Sequence, residues 1–217
     1  MGFNLYRFLR LLLLFMLIAP TLALAQQRLL PRDEAASVPD FFTFRAQLQA
    51  AIARRDRAAV VAVLHKDVKL SFGGDAGVAG FNRLWKPSAR ESRLWETLAT
   101  VLALGGTFSA DGSFTAPYVF TKWPQDVDAF SHRAAIGSGI RVRAGASATA
   151  TVVGALDFSI VETIDPQPAD ERWVQVKTSS GSPGFVDARH LRSPIDYRAN
   201  FVKIDGRWQM TMFLAGD

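Results

Sequence analysis

The chain contains no cysteine. That excludes disulfides, lipid attachment through a lipobox cysteine and any mechanism with a thiol nucleophile. Histidine is nearly as scarce: His65, His132 and His190 are far apart, and none sits in H-E-x-x-H or another metal-ligand spacing. No Gly-x-Ser-x-Gly occurs, and Gly73-Gly74 and Gly105-Gly106 lack the spacing of a phosphate loop, so both pairs read as turns. No internal repeat or low-complexity tract stands out. These absences lead to the expectation of no catalytic set, no metal site and no cofactor.

The longest apolar run is the N-terminal "LLLLFMLIAP", Leu11 to Pro20, which follows Arg7 and Arg10 and precedes Ala23-Leu24-Ala25. A basic region, a short apolar core and small residues before Gln26 form a secretory signal, expected to be cleaved after residue 25. The run is shorter than the roughly 20 residues a membrane-spanning helix needs. The expectation is a periplasmic or secreted chain without stable membrane insertion. Removing 25 of 217 residues leaves 192, and the loss of two of the 25 basic residues against 20 acidic ones leaves a net charge of +3. That is too little to indicate a polyanionic partner.

Residues 26–39 show no period and read as a linker. Asp40 is placed to cap a helix beginning at Phe41, with Phe41, Phe44, Leu48 and Ile52 as its stripe and Arg45 and Gln49 off it. Asp56 caps a second helix carrying Val60, Val63 and Leu64. "DVKLSF", Asp67 to Phe72, alternates as a strand. "VAGFNRLW" reads as a short helix and "ARESRLWETLATVLAL" as a longer one. Tyr118 and Phe120 are expected on one face of a strand over 117–122. Most aromatics belong to the core; Trp123, in polar company before Pro124, is a candidate for exposure or for packing between domains. The final segment is a hairpin turning at Asp205-Gly206, with Trp208, Met210 and Met212 alternating against Arg207, Gln209 and Thr211. A lone hairpin is marginal in water, so it is expected to complete the sheet of the N-terminal elements. The fold class is α+β: an N-terminal α+β region at 40–133, a small β-barrel at 134–195 and the hairpin at 196–217.

The middle segment resembles the bacterial SH3-like domain. Ile140-Arg141-Val142-Arg143 resembles its opening strand, Thr151-Val152-Val153-Gly154 with Leu156 the next segment, and Ile160-Val161 the strand before the variable loop. Trp173-Val174-Gln175-Val176 resembles its "W-x-x-V" strand, Gly184-Phe185-Val186 its "G-[YFW]-V" strand, and Leu191 the closing residue. Two departures lie in the loops that shape the family's groove. "AGASAT" lacks a proline, and Asp157-Phe158-Ser159 stands where glycine is common. The resemblance implies an aromatic-lined groove, here Trp173 and Phe185 with Phe158 in the loop, that recognises cell-wall peptide or an envelope protein segment. Asp187 and His190 follow the Gly-Phe-Val strand, where Asp187 is expected to cap a short helical turn. From Ile140 to Arg192 six basic residues balance six acidic ones, which argues against nucleic acid. Arg141 and Arg143 read as a solvated strand face.

The flanking segments "AIARRDRAAVVAVLHKDVKLSFGGDAGVAGFNRLW" and "KIDGRWQMTMFLAG" resemble the nuclear-transport-factor-two-like fold. "APYVFTKWPQDVDAF" and the terminal "FLAGD" resemble features of a family of uncharacterised secreted proteobacterial proteins. The cone-shaped fold implies an alternative function, small-molecule binding or acid/base catalysis in an N-terminal pocket, with Asp67 and Asp111 as the available acids. The favoured expectation is a non-enzymatic envelope binding module.

Overall fold

A computed structural model describes residues 27–164, 172–178 and 181–216. The first helix, α1 (Pro39–Ala53), starts two residues before the expected Phe41. Pro39 explains this: its fixed φ and missing N–H suit the first turn of a helix. Asp40 is therefore inside the helix, and its carboxylate faces Lys203 and Trp208 Nε1. Arg45 is also not off the stripe. It is 7% exposed, four residues after Phe41, and forks onto both carboxylate oxygens of Asp33 at 2.8 Å. A long apolar stem and a paired head let an arginine occupy a core-facing position.

Asp56 caps α2 (Arg57–Ala62), accepting from Ala59 N–H at 3.0 Å. The helix ends earlier than its apolar run, because Leu64 already belongs to β1 (Leu64–Lys69). The expected strand is thereby displaced toward the N-terminus: Val68 and Leu70 are buried, whereas Phe72 is exposed. α3 (Gly77–Trp85) and α4 (Leu94–Ala103) follow, then β2 (Thr107–Phe108) and β3 (Phe114–Ala116). The strand expected over 117–122 is instead a helical turn, α5 (Tyr118–Thr121). Pro117 gives no N–H to a ladder, so β3 stops before it and the turn starts after it. No helix among the described residues is long and apolar enough to cross a membrane.

The chain then builds two smaller sheets. Their strands are β4 (His132–Ala135), β5 (Ile140–Arg143), β6 (Val152–Leu156), β7 (Ile160–Glu162), β8 (Trp173–Lys177), β9 (Pro183–Asp187) and β10 (Leu191–Arg192). One sheet is ordered β6-β5-β9-β8 and the other β10-β4-β7. Neither closes into the expected barrel. Among the described residues the two ladders meet at a single bridge, Thr163 to Val176, and β6 and β10 pair with no further strand. Both still share one core: Ala135, Leu191 and Val161 from one sheet pack with Ile140, Val142, Leu156, Val174, Val176 and Val186 from the other. Gly184 belongs there because a Cβ at that position would come within 2.4 Å of Val142 Cγ1.

The last strands, β11 (Arg198–Ile204) and β12 (Arg207–Leu214), form the hairpin. Asp205 and Gly206 both have positive φ, 49° and 75°, as a two-residue type I′ turn requires. The hairpin lies at the centre of the large sheet, ordered β1-β12-β11-β3-β2, with β1 parallel to β12 and the other pairs antiparallel. The expected simple alternation along β12 is broken. Phe201 opposes Met210 while Asn200 opposes Met212, so Thr211 is an extra, bulged residue. The bulge puts Phe213, rather than Met212, in the core with Met210. The other face carries a polar line in which Thr211 Oγ1 donates to Asn200 Oδ1 at 2.7 Å and Asn200 Nδ2 donates to Thr115 Oγ1 at 2.8 Å.

Phe41 is the hub of the large core. Its ring lies 4.3 Å from Phe114, 4.8 Å from Trp208, 5.4 Å from Phe108 and 5.9 Å from Phe201, mostly edge-on or tilted. Each such pairing adds to the area it removes from water. Residues 27–38, expected as a linker, are packed in place. Gln27 O accepts from Ile160 N–H, Leu29 N–H donates to Phe158 O, and Glu34 N–H donates to Gly106 O. Leu29 and Ala35 are buried. A third cluster, Leu29, Tyr118, Val119, Ala134 and Ile160 with half-buried Trp123 against it, joins the smaller sheets to the rest.

Two outcomes follow in chemical denaturation. Phe41→Ala costs about 3–5 kcal/mol, the range for deleting a buried aromatic. Asp33→Ala costs about 2 kcal/mol by leaving the buried Arg45 guanidinium without its acceptor, and Asp33→Ala/Arg45→Met recovers part of that loss.

Candidate functional site

A polar groove lies on the outer face of the β6-β5-β9-β8 sheet. Alternation turns Val142, Val174, Val176 and Val186 inward, which sends Arg141, Arg143, Trp173, Gln175, Phe185 and Asp187 outward. β8 and β9 pair along their full length, with Trp173 opposite Asp187 and Gln175 opposite Phe185. β5 and β9, in contrast, share only the pair Arg143–Phe185. Beyond that pair lies a cavity of about 380 Å³. It is walled on one side by 137–139, Ile140, Arg141 and Arg143, and on the other by Trp173, Asp187, Arg189 and His190, with Ala148 at its edge.

Trp173, one of the three groove residues expected from the sequence, lines this cavity and is half-buried. Phe185 shares its face but is not part of the lining; it sits beside Arg143, where the strands close up. Phe158 is elsewhere. It has a φ of 51°, its N–H donates to Gly137 O at 2.8 Å, and its carbonyl receives Leu29 N–H at 2.7 Å. It ties the leader to the back of the 137–139 loop. Arg141, Arg143, Arg189 and His190, which the sequence reading did not assign to the groove, also line the cavity. The signal was present: alternation in three adjacent strands puts both β5 arginines on the face that carries Trp173.

Asp187 accepts from Arg189 N–H at 3.2 Å and so caps the helical turn Ala188–His190, as expected. It also contacts Arg189 Nη2 at 3.0 Å and Arg172 Nε at 3.7 Å, with its side chain 12% exposed. Its charge is thus committed within the protein. Arg143 Nη1 donates to Ala150 O at 2.7 Å. Arg141 has no carboxylate within ion-pair distance among the described residues. Three guanidinium groups and an imidazole therefore share the groove with one engaged carboxylate. No cluster of three or more His, Asp or Glu side chains able to hold a metal occurs among the described residues.

The loop forming one wall is fixed by Asp157, whose carboxylate accepts from Ser138 Oγ and from Gly139 N–H at 2.8 Å. The Ser138 hydroxyl, then the Gly139 amide, hold this carboxyl below its ordinary value of 3.8.

A larger open cavity, about 880 Å³, lies between α1, the start of β1 and the tip of the hairpin. Its lining includes Asp40, Phe44, Val63, His65, Lys66 and Trp208. Neither acid anticipated for an N-terminal pocket contributes to it, but Asp111 lines a neighbouring cavity of about 430 Å³ with Val38, Phe108, Lys203 and Trp208. Asp67 is exposed beside Lys66, and Asp111 caps a turn through Ser113 N–H. The acids in its lining are Asp40 and, at the hairpin turn, Asp205; the Lys203 ammonium, followed by the Trp208 indole, lowers the pKa of Asp40. A carboxylate stabilised in its charged form is a poor proton acceptor near neutrality.

No family model matches this chain, and no curated protein or solved structure compared with it does either.

The Asp157 interaction gives a pH signature. Its folded pKa lies below 3.8, so its contribution is present above about pH 3.8 and is lost as pH falls through the folded value. The Gly139 amide resonance titrates with a midpoint below 3.8, and in Asp157→Asn that titration disappears.

Proposed function

We propose that this chain is an exported, non-catalytic binding protein of the bacterial cell envelope. In this reading the signal is removed after Ala25, and residues 134–195 form an SH3-like module, open rather than closed, that recognises cell-wall peptide or a segment of an envelope protein. The observation that carries the reading is the groove between β5 and β9, with Trp173 in its wall. A purely structural module would bury that tryptophan against its own helices; a half-buried ring beside polar side chains suits a ligand. The sequence resemblance to SH3-like domains supports the same face as the recognition surface.

A second reading, small-molecule binding in the helical half, is supported by the 880 Å³ cavity at Asp40 and Trp208. Acid/base catalysis there has weaker support, because Asp40 is held as a carboxylate by Lys203.

The test is co-sedimentation of the chain from Gln26 onward, which contains every packed cluster, with purified peptidoglycan sacculi. The expected result is retention that falls at least tenfold in Trp173→Ala, with unchanged circular dichroism and melting temperature. Equal retention of the folded variant removes the groove from the reading, and no retention of the wild type removes the wall as ligand.

A further inference from the structure

We infer that the groove recognises a carboxylate-bearing peptide, whose acid group is held by Arg141 and Arg189 while an adjoining apolar part lies on Trp173. This deepens the proposed binding function and rests on it.

The charge of the groove is the first argument. The module as a whole is balanced, but its charges are not evenly placed. Arg141, Arg143 and Arg189 line one 380 Å³ cavity, and the sole acid among its described lining residues is Asp187. That acid already receives a backbone N–H and two guanidinium groups, and its side chain is 12% exposed. It is unavailable to a cationic ligand and offsets only part of the local positive charge. An anionic ligand meets the excess; a cationic one meets repulsion.

The donor geometry is the second. Arg143 is anchored to Ala150 O, which orients it along the rim. Arg141 and Arg189 are exposed and come from opposite walls, since β5 and the turn after β9 flank the opening. A guanidinium offers a planar fork that matches a carboxylate. Arg189 meets Asp187 through Nη2 and keeps further N–H donors, so two forks lining one cleft with an indole suit a short peptide with an acidic side chain or terminus. A polyanion such as nucleic acid needs a continuous basic track. The outer face here instead continues into Phe185 and Gln175, which are uncharged.

The experiment compares four forms of the chain from Gln26: wild type, Trp173→Ala, Arg141→Gln/Arg189→Gln, and the charge-matched control Arg54→Gln/Arg90→Gln, whose arginines are exposed and lie away from the groove. Each is sedimented with native sacculi and with sacculi whose carboxyl groups have been converted to amides. The expected result is at least a tenfold loss of retention for the groove double variant and for amidated sacculi, with the control within twofold of wild type. If Trp173→Ala loses retention but neither the double variant nor amidation changes it, the carboxylate inference is overturned while the groove reading stands. If the wild type does not bind sacculi, the wall reading fails, and the inference is decided by heteronuclear NMR with the soluble probe Ac-Ala-Glu-Ala-Glu. Shifts at the Trp173 indole and Arg141 guanidinium that are absent with Ac-Ala-Gln-Ala-Gln-NH2 support it. No difference between the two peptides overturns it.

Discussion

The pairing of β11 with β12 is the interaction on which the rest of the molecule depends. Among the described residues β1 is held in the large sheet only by β12, and the β3-β2 pair is attached only through β11. Residues near the end of the chain therefore supply the sheet's centre, and Leu64 finds its partner in Met210. Until they arrive, the apolar faces of α1 and α4 have no sheet to cover. The entropy of closing so long a loop grows only with the logarithm of its length. The burial of Phe41 among Phe114, Phe201 and Trp208 can offset it.

The same pairing constrains everything between β3 and β11. Ala116 ends one strand, and Ala199, its ladder partner, lies in the next. The intervening chain leaves the large sheet and returns to it at neighbouring positions. It is secured there by Tyr118 and Val119 packing on Ala134 and Ile160, and by the leader crossing from Ser159 to Gly106. Near the return point Arg192, 8% exposed, pairs with Asp196 at 2.8 Å and donates to Tyr197 O. Burial pushes the Arg192 pKa down and Asp196 opposes the change. Arginine's high intrinsic basicity keeps it charged even so, and the planar head satisfies two acceptors at the junction. The smaller sheets are thus held by hydrophobic, backbone and ionic contacts at once.

How much of this was legible depends on whether the signal was local. Asp56 and Asp187 announced their caps, because capping involves residues two or three apart. The Asp205-Gly206 turn was readable for the same reason. The strand expected at 117–122 failed because alternation in so short a stretch is weak beside the missing N–H of Pro117. Arg45 was misread because its partner, Asp33, lies in a segment without periodicity, and no pattern within α1 reveals an acceptor outside it. The bulge at Thr211 depends on cross-strand register. Closure of the small sheets into a barrel was beyond local reading too, since it depends on whether two edge strands meet. In the groove, each strand's alternation was legible, but assigning Arg141 to the same cleft as Arg189 required knowing that β5 and β9 diverge after one pair.

That divergence explains how a balanced module can carry a cationic groove. If β5 and β9 paired along their length, Arg141 would stand over Asp187 and the two charges would neutralise each other across the ladder. Instead Asp187 turns to the Arg189 amide and to the Arg172 and Arg189 guanidiniums, a set that fixes the helical turn forming one wall. Arg141 is left on the opposite wall without a carboxylate of its own among the described residues. Asp157 performs the matching task there, holding Ser138 and Gly139. Each wall is thus built around a carboxylate that local donors already occupy. The donors left facing the opening are cationic, and walls anchored by these contacts need less ordering on binding, which lowers its cost.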